Sequence, residues 1–424
     1  MSMMNQLRAA ELVKADRVHR RVYTDPEIYE AEMRAIFAKT WVFVGHESQV
    51  PRPGDYMTDT LVGQPILMVR DEQGRVHVFF NRCTHRGALL CRLSEGQTKS
   101  FQCPYHGWTF GTDGKLIGVP LRERFGADFA LEDWGLISPP RVDSYQGFVF
   151  VSLNPQVPDL KDHLGRVCEY LDLMVARAPE GAIEAVKPLK YRFSGNWKLQ
   201  LENYADNYHP PFAHRSAFEV GAKMLREKYG DKAYSVAHAR AKKFEERSLP
   251  RGHGIANFHG TRDPIWREAY DSQAYIDALA RRHGPERAKE LAEMDIHIII
   301  YPNLLLHTRL NHYRVIKPLA VDQTEIHTYP CKLKGAPEEI NQAIVRLTSH
   351  HVSAGGEVQV DDLEMFVRVQ EGLRAEAVEW VLIKMRGEEE HSEEAGETVS
   401  YGASELLLRG FYKEWVRLMS EAGF

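Results

Sequence analysis

The sequence predicts an α+β protein in two parts: a small all-β domain at 38–156, then a larger domain at 157–424 built around an antiparallel sheet. Three observations predict this. Short β-branched and aromatic runs at 41–44, 66–69, 76–80 and 147–151 are punctuated by Pro, Gly and Asp turn residues. Beyond 157, helical patterns near 159–175, 198–209, 264–293, 337–350, 361–385 and 403–421 accompany clustered strand patterns near 190–195, 296–300, 304–308, 312–318 and 325–331. Long helices with strands in close succession suit α+β layering. Finally, two loops of the first region each carry one cysteine and one histidine, which marks that region as a small metal-holding module.

The elements follow in order. Residues 1–37 interleave acidic and basic side chains with a partial apolar stripe at Ile28, Met33, Ile36 and Phe37, which predicts a helical arm packing with the second domain. The segment 216–262 has weak periodicity and many charges, and is expected as a lid, an entrance loop or a surface insertion. The acidic run Glu388, Glu389 and Glu390, with Glu393, Glu394 and Glu397, is expected as a solvated loop.

Composition narrows the function. With 54 Lys and Arg against 59 Asp and Glu, the net charge is −5, which gives no support to nucleic-acid binding. No apolar run approaches the ~18 residues of a membrane span. The N-terminal stretch has no signal-peptide order, so a cytoplasmic protein is expected. Besides Cys83 and Cys103, the remaining cysteines (Cys91, Cys168, Cys331) are scattered, which fits a reducing compartment rather than a disulfide framework. No Gly-x-Gly-x-x-Gly follows a strand, so a nicotinamide cofactor would be handled by a separate protein.

The first constellation is Cys83-Thr84-His85-Arg86-Gly87 with Cys103-Pro104-Tyr105-His106-Gly107-Trp108. Two thiolates and two imidazoles suit zinc or an iron–sulfur cluster. Zinc fingers usually pair Cys with Cys and His with His. Here each loop carries one of each, which suits a Rieske [2Fe–2S] centre with Cys83 and Cys103 on one iron and His85 and His106 on the other.

The second constellation lies at 195–214. His209 and His214 are five residues apart, so on a regular helix they would sit about 140° out of register. Pro210 and Pro211 kink or end the helix there, which lets both imidazoles reach one metal. Asp206 precedes His209 by three residues and can orient its imidazole. A facial triad for non-haem Fe(II) needs a carboxylate too. Asp361 and Asp362 supply candidates after a glycine-containing loop, one to cap a helix and the other to face inward. Spacing alone does not choose between them.

With these motifs in place, and with Asn196-Trp197-Lys198, Glu202-Asn203 and Tyr301-Pro302-Asn303, the chain resembles the large (α) subunit of the Rieske non-haem iron aromatic-ring hydroxylating dioxygenases through nearly its whole length. The resemblance implies a helix-grip catalytic fold and a mononuclear iron on His209, His214 and Asp362. It implies that Asp206 bridges the Rieske site of one subunit and the iron of its neighbour, with His106 as exit ligand. A homotrimer follows, α3 or α3β3 with a small β subunit. Electrons would come from NADH through a separate reductase, sometimes through a ferredoxin, for O2-dependent hydroxylation of an aromatic ring, commonly to a cis-dihydrodiol. Some members monohydroxylate or demethylate instead.

Segments at 143–153, 171–175 and 195–200 look most like the benzoate and anthranilate branch, which implies an aromatic carboxylate substrate. The resemblance puts His307 and Val352 at the pocket, with Asn203, Tyr204 and Phe212 nearby; His307, among Leu304, Leu305 and Leu306, is read either as facing a substrate anion or hydroxyl or as a solvent-facing or hydrogen-bonded strand histidine, and Arg309 and Arg314 either as rival anion partners or, more in keeping with their setting, as surface or interface charges. Two other classes remain: an electron-transfer Rieske protein and a zinc-stabilised binding protein. Visible absorption and an iron content of about three per chain separate the oxygenase from both.

Overall fold

A computed structural model describes residues 8–229, 244–258 and 272–424. The chain forms two compact units, Phe37–His163 and Met1–Ile36 with Leu164–Phe424.

The smaller unit is all-β apart from short helical turns. Its four-stranded sheet runs Val76–Phe80, Gln64–Arg70, Asp55–Leu61, Glu95–Gln97, and a three-stranded sheet joins Ser100–Gln102, Thr109–Gly111 and Leu116–Gly118. A further three-stranded sheet joins Arg141–Tyr145, Phe148–Ser152 and Val42–His46. Leu67, Val69, Phe79, Phe101, Trp108 and Phe110 form one core, and the two cysteines of the first constellation belong to it.

The larger unit is organised by a ten-stranded antiparallel sheet. Its order is Ile183–Ala185, Gln323–Leu333, His312–Ala320, Leu304–His307, Ile296–Ile300, Gly254–Asn257, Glu245–Ser248, Thr398–Tyr401, Glu388–Ser392, with Leu189–Phe193 also on Gln323–Leu333. The central strands Ile296–Ile300 and Leu304–His307 are almost continuously apolar because both faces are covered. The amphipathic helix Leu406–Glu421 lies against the strands at Glu245–Ser248 and Gly254–Asn257 and buries Leu407, Phe411 and Trp415.

The N-terminal arm forms short helices and a strand, Arg17–His19, that pairs with Trp380–Leu382. Its Glu32, fully buried, accepts from Lys198 Nζ at 2.6 Å, Trp197 Nε1 at 2.8 Å and Trp415 Nε1 at 2.7 Å. A charge at that depth persists because three donors, one of them a cation, meet its two oxygens.

Several elements differ from the sequence reading. The helix expected at 361–385 ends at Gly372, because 380–382 is taken by pairing with the arm. The part of the 264–293 helix at 264–271 lies outside the described residues; the remainder is two helices, Gln273–His283 and Pro285–Ala292, divided by Gly284 in the left-handed region. Within 216–262, residues 230–243 and 259–262 lie outside the described residues, but 245–248 and 254–257 are interior strands of the large sheet. Of the acidic run, Glu388–Glu390 are solvated in part but stand on an edge strand, Glu388–Ser392, rather than in a loop, whereas Glu393, Glu394 and Glu397 lie in the turn that follows. Glu390 pairs with Arg409 at 2.6 Å, and Glu393 and Glu397 both pair with Arg247.

Candidate metal centres

The two loops of the smaller unit are twin turns. Cys83 N donates to Ala88 O (2.8 Å) and Gly87 N to Cys83 O (3.0 Å); Cys103 N donates to Trp108 O (2.7 Å) and Gly107 N to Cys103 O (3.0 Å). Both closing glycines have positive φ, +77° and +72°, which a side chain would strain. The turns sink both thiols into the core and leave the imidazoles at its rim, His106 exposed, with ring centroids 4.7 Å apart. Trp108 stacks on His85 at 4.7 Å and fixes its plane. Burial pushes the Cys83 thiol up, and the adjacent Cys103 adds to that. Two neighbouring buried thiols become thiolates when metal ions bind them. The donor set thus fits a cluster with one thiolate-held and one imidazole-held iron.

In the larger unit, Asn196 caps the helix Trp197–Ala205 by accepting from Lys198 N at 3.1 Å. The helix ends four residues before the expected 209. Asp206 adopts an extended backbone, and its side chain accepts from Tyr208 N at 2.6 Å, a local turn that competes with continuing the helix. A second short helix, Pro210–Ala213, then starts on proline, with His209 and His214 at its two ends. Sharing a broken helix, the two rings meet at 5.3 Å and 81°.

Asp362, in the first turn of Gln359–Gly372, reaches both of them. Its Oδ1 lies 3.2 Å from His214 Nε2 and 3.6 Å from His209 Nε2. One ligand atom each from His209, His214 and Asp362 falls within 4.8 Å of the others, which suits a single ion. Asn203 Nδ2 sits 2.9 Å from Asp362 Oδ1 and 3.2 Å from His209 Nε2. The outer ring nitrogens face carboxylates: His209 Nδ1 is 3.3 Å from Asp206 Oδ2, and His214 Nδ1 is 3.4 Å from Asp361 Oδ2. Neither aspartate caps its helix. Burial alone would lower the His214 pKa, yet Asp362 and Asp361 outweigh it and raise it. A site that holds a proton between imidazole and carboxylate has the charge to hold a cation instead. Gly356 makes the preceding turn possible, since a Cβ there would meet the His350 carbonyl at 2.7 Å.

The residues read as pocket-lining divide. Tyr204 is buried and its hydroxyl donates to Leu306 O at 2.5 Å. His307 and Val352 are buried too. Phe212 is not brought in: it is 67% exposed and packs edge-on against Tyr208, one helical turn earlier, on the outward side of the proline turn. Arg314 is not a surface charge; it is buried beneath Tyr204, because both faces of its strand are covered. Arg309 pairs with Asp295 at 3.1 Å.

Sequence reasoning passed over His297, a histidine inside an isoleucine run. Its ring lies 4.1 Å from His307, and burial, then Arg309 and Arg314, hold its pKa down at about 3. A polar residue interrupting an apolar strand was the available signal. It gave Glu202 no role beyond membership of a motif and passed over Glu246; both are pushed up to about 7 by burial, with the nearby charge of Asp206 among the forces acting in the same direction.

Among the described residues no helix is long and apolar enough to cross a membrane. Residues 40–145 match the Rieske [2Fe–2S] domain family, and residues 181–421, more than half of the chain, match the ring hydroxylating α subunit (catalytic domain) family. The chain is 31% identical to the biphenyl 2,3-dioxygenase α subunit of Rhodococcus jostii, covering 97% of this chain and 91% of that one. It is 32% identical to the anthranilate 1,2-dioxygenase large subunit of Acinetobacter baylyi, covering 86% and 79%. Its structure is similar to that of a naphthalene 1,2-dioxygenase variant bound to phenanthrene, with a TM-score of 0.83 at 25% identity over 99% of this chain and 95% of that one. The chain therefore belongs to the ring-hydroxylating dioxygenase α-subunit family, with a Rieske [2Fe–2S] domain ahead of a non-haem iron catalytic domain.

Proposed function

We propose that this chain dihydroxylates the ring of an aromatic carboxylate, with mononuclear iron held by His209, His214 and Asp362 and the cluster by Cys83, His85, Cys103 and His106. The observation that carries the iron assignment is the convergence of three ligand atoms within 4.8 Å. When bound, the iron supplies the redox chemistry that activates O2, at positions a two-histidine, one-carboxylate set leaves open. The chain's residues orient that set. Asn203 donates to Asp362, Asp206 faces the outer nitrogen of His209, and Asp361 that of His214.

His106 and Asp206 link the two kinds of centre across a subunit boundary, in an α3 or α3β3 assembly. Exposure of the His106 ring and partial exposure of Asp206 support this, since both must be reachable from another chain. NADH-derived electrons enter through a separate reductase, with or without a ferredoxin.

The anthranilate-acting relative carries a ring carboxylate on its substrate, and the polar residues around His307 suit such a group better than a bare hydrocarbon. The test is product analysis. Iron-loaded protein with a competent reductase is given benzoates, anilines and neutral arenes. Dihydrodiols from the benzoates are expected; turnover of neutral arenes alone overturns the substrate assignment.

A further inference from the structure

Three adjacent strands put a histidine at the same level of the large sheet: His297 pairs with His307, and His307 with His312. Residues two apart on a strand share a face, so Arg314 continues the row begun by His312. The rings are close, 4.1 Å between His297 and His307 and 5.3 Å between His307 and His312. Tyr204 packs on this row, its ring 5.3 Å from that of His297 and 5.8 Å from Arg314 Cζ. Its chain neighbour Asn203 donates to Asp362. Gln359 accepts from Arg314 Nη1 at 3.0 Å and stands three residues before Asp362 on one helix. The row therefore abuts two of the elements that build the iron site.

The Arg314 end of this row has no anion among the described residues. Arg314 is 6% exposed, and no carboxylate pairs with it among the described residues. A buried cation left without a counter-charge is a costly arrangement. Its Nε donates to His312 Nε2 at 3.3 Å, which leaves the His312 proton on Nδ1, a buried atom with no partner. His307 Nδ1 accepts from Leu310 N at 3.3 Å, which leaves its proton on Nε2, and no acceptor meets that atom among the described residues. Asp295, the acid beside the row, is already paired with Arg309 at 3.1 Å. That guanidinium also argues against a second metal on Asp295, His297 and His307, although their ligand atoms lie within 4.8 Å of one another, because it would repel a dication.

We propose that Arg314, with the free N–H groups of His307 and His312, receives the carboxylate of the aromatic substrate. This rests on the ring-carboxylate reading above and adds which residues hold the anion. One guanidinium matches one carboxylate in charge, and the neutral imidazoles donate without needing a counter-ion of their own. Holding the carboxylate against the sheet fixes which ring carbons face the Asp362 helix.

The test is binding to iron-loaded protein, by calorimetry, of benzoate and of toluene as a neutral ring of similar size. Arg314→Met is expected to weaken benzoate about 10- to 100-fold, the range of a hydrogen bond to a charged group, and to leave toluene unchanged. His307→Leu is expected to weaken benzoate about 10-fold, and His307→Gln, which keeps an N–H, to recover most of that. Should Arg314→Met fail to fold, the His307 pair and Arg314→Lys carry the test, the lysine variant keeping benzoate binding within a few-fold. Wild-type affinity for benzoate in both Arg314→Met and His307→Leu overturns the assignment. So does an equal loss of benzoate and toluene, which would mark a packing role. A wild-type protein that binds toluene but no benzoate instead overturns the substrate class on which the assignment rests.

Discussion

Asp361 and Asp362 are chain neighbours, yet their side chains face different atoms and should behave differently when changed. Asp362 is 7% exposed and Asp361 31%. Asp362 Oδ1 stands 3.2 Å from His214 Nε2 and 3.6 Å from His209 Nε2. Asp362→Asn takes from the site its only anionic donor and leaves two imidazoles, too few for stable iron. Asp361 is 3.4 Å from the opposite nitrogen of His214, where it orients the ring. Losing such an outer partner typically costs 10- to 100-fold in metal affinity, about 1.4–2.8 kcal/mol. After loading with excess Fe(II) and desalting, the wild type and Asp361→Asn are expected to hold about three iron atoms per chain and Asp362→Asn about two. In chelator titration, Asp361→Asn should release its mononuclear iron at about 10- to 100-fold lower chelator. Loss of iron from Asp361→Asn with retention in Asp362→Asn would refute the assignment, as would retention with unchanged chelator resistance in both.

Asp206→Asn is expected to keep both metal centres but to block oxygen-coupled turnover driven from a reduced cluster; normal turnover would remove Asp206 from the route. Cys83→Ser should abolish the visible cluster absorption while the mononuclear iron stays bound, read by optical and iron analysis together. Glu32→Ala leaves Lys198 buried without its counter-ion and should cost about 3–5 kcal/mol in denaturant unfolding. Burial pushes Glu246 from 4.5 up to about 7, so its contribution to stability is complete below about pH 4.5 and is lost as pH rises through about 7. Glu246→Gln should therefore gain on the wild type between pH 5 and 8, by about 3 kcal/mol at most, in urea melts across that range.

What the sequence discloses depends on whether a feature is local. The cluster loops are read from spacing because each is a five- or six-residue turn, and such turns form with little help from elsewhere. His209 and His214 are read as partners because the prolines between them announce a break, but the break itself falls at Asp206, where a side chain takes over backbone donors that periodicity assigns to the helix. The choice between Asp361 and Asp362 needs the rotation of a helix about its axis, which no spacing supplies. Phe212 misleads for the same reason: an aromatic beside a ligand reads as pocket wall, but the short turn points it outward. Arg314 reads as surface because charge in a strand usually marks a solvated face, and nothing in the surrounding residues says that both faces are covered. The acidic run at 388–397 reads as a loop because its cations, Arg247 and Arg409, are distant in sequence.

The proposed metal donors and the polar row come from different kinds of element, and this has a mechanical consequence. His209, His214 and Asp362 all stand at helix ends, where the backbone is free to turn a side chain toward a common point. His297, His307, His312 and Arg314 stand on strands whose register is fixed by neighbours on both sides. A side chain in the middle of such a ladder can be exchanged without moving the backbone, because the inter-strand bonds do not depend on it. Changes along the row should therefore alter what the site accepts while iron stays bound. Arg314→Met is the sharpest case, since it replaces a cation by an unbranched apolar side chain inside a strand paired on both sides, with no backbone group among its side-chain partners. Full iron content with altered ligand preference is the expected pair of results. Iron lost in step with that preference would show that the sheet face and the helix ends move as one, and that the division of labour drawn from the fold is mistaken.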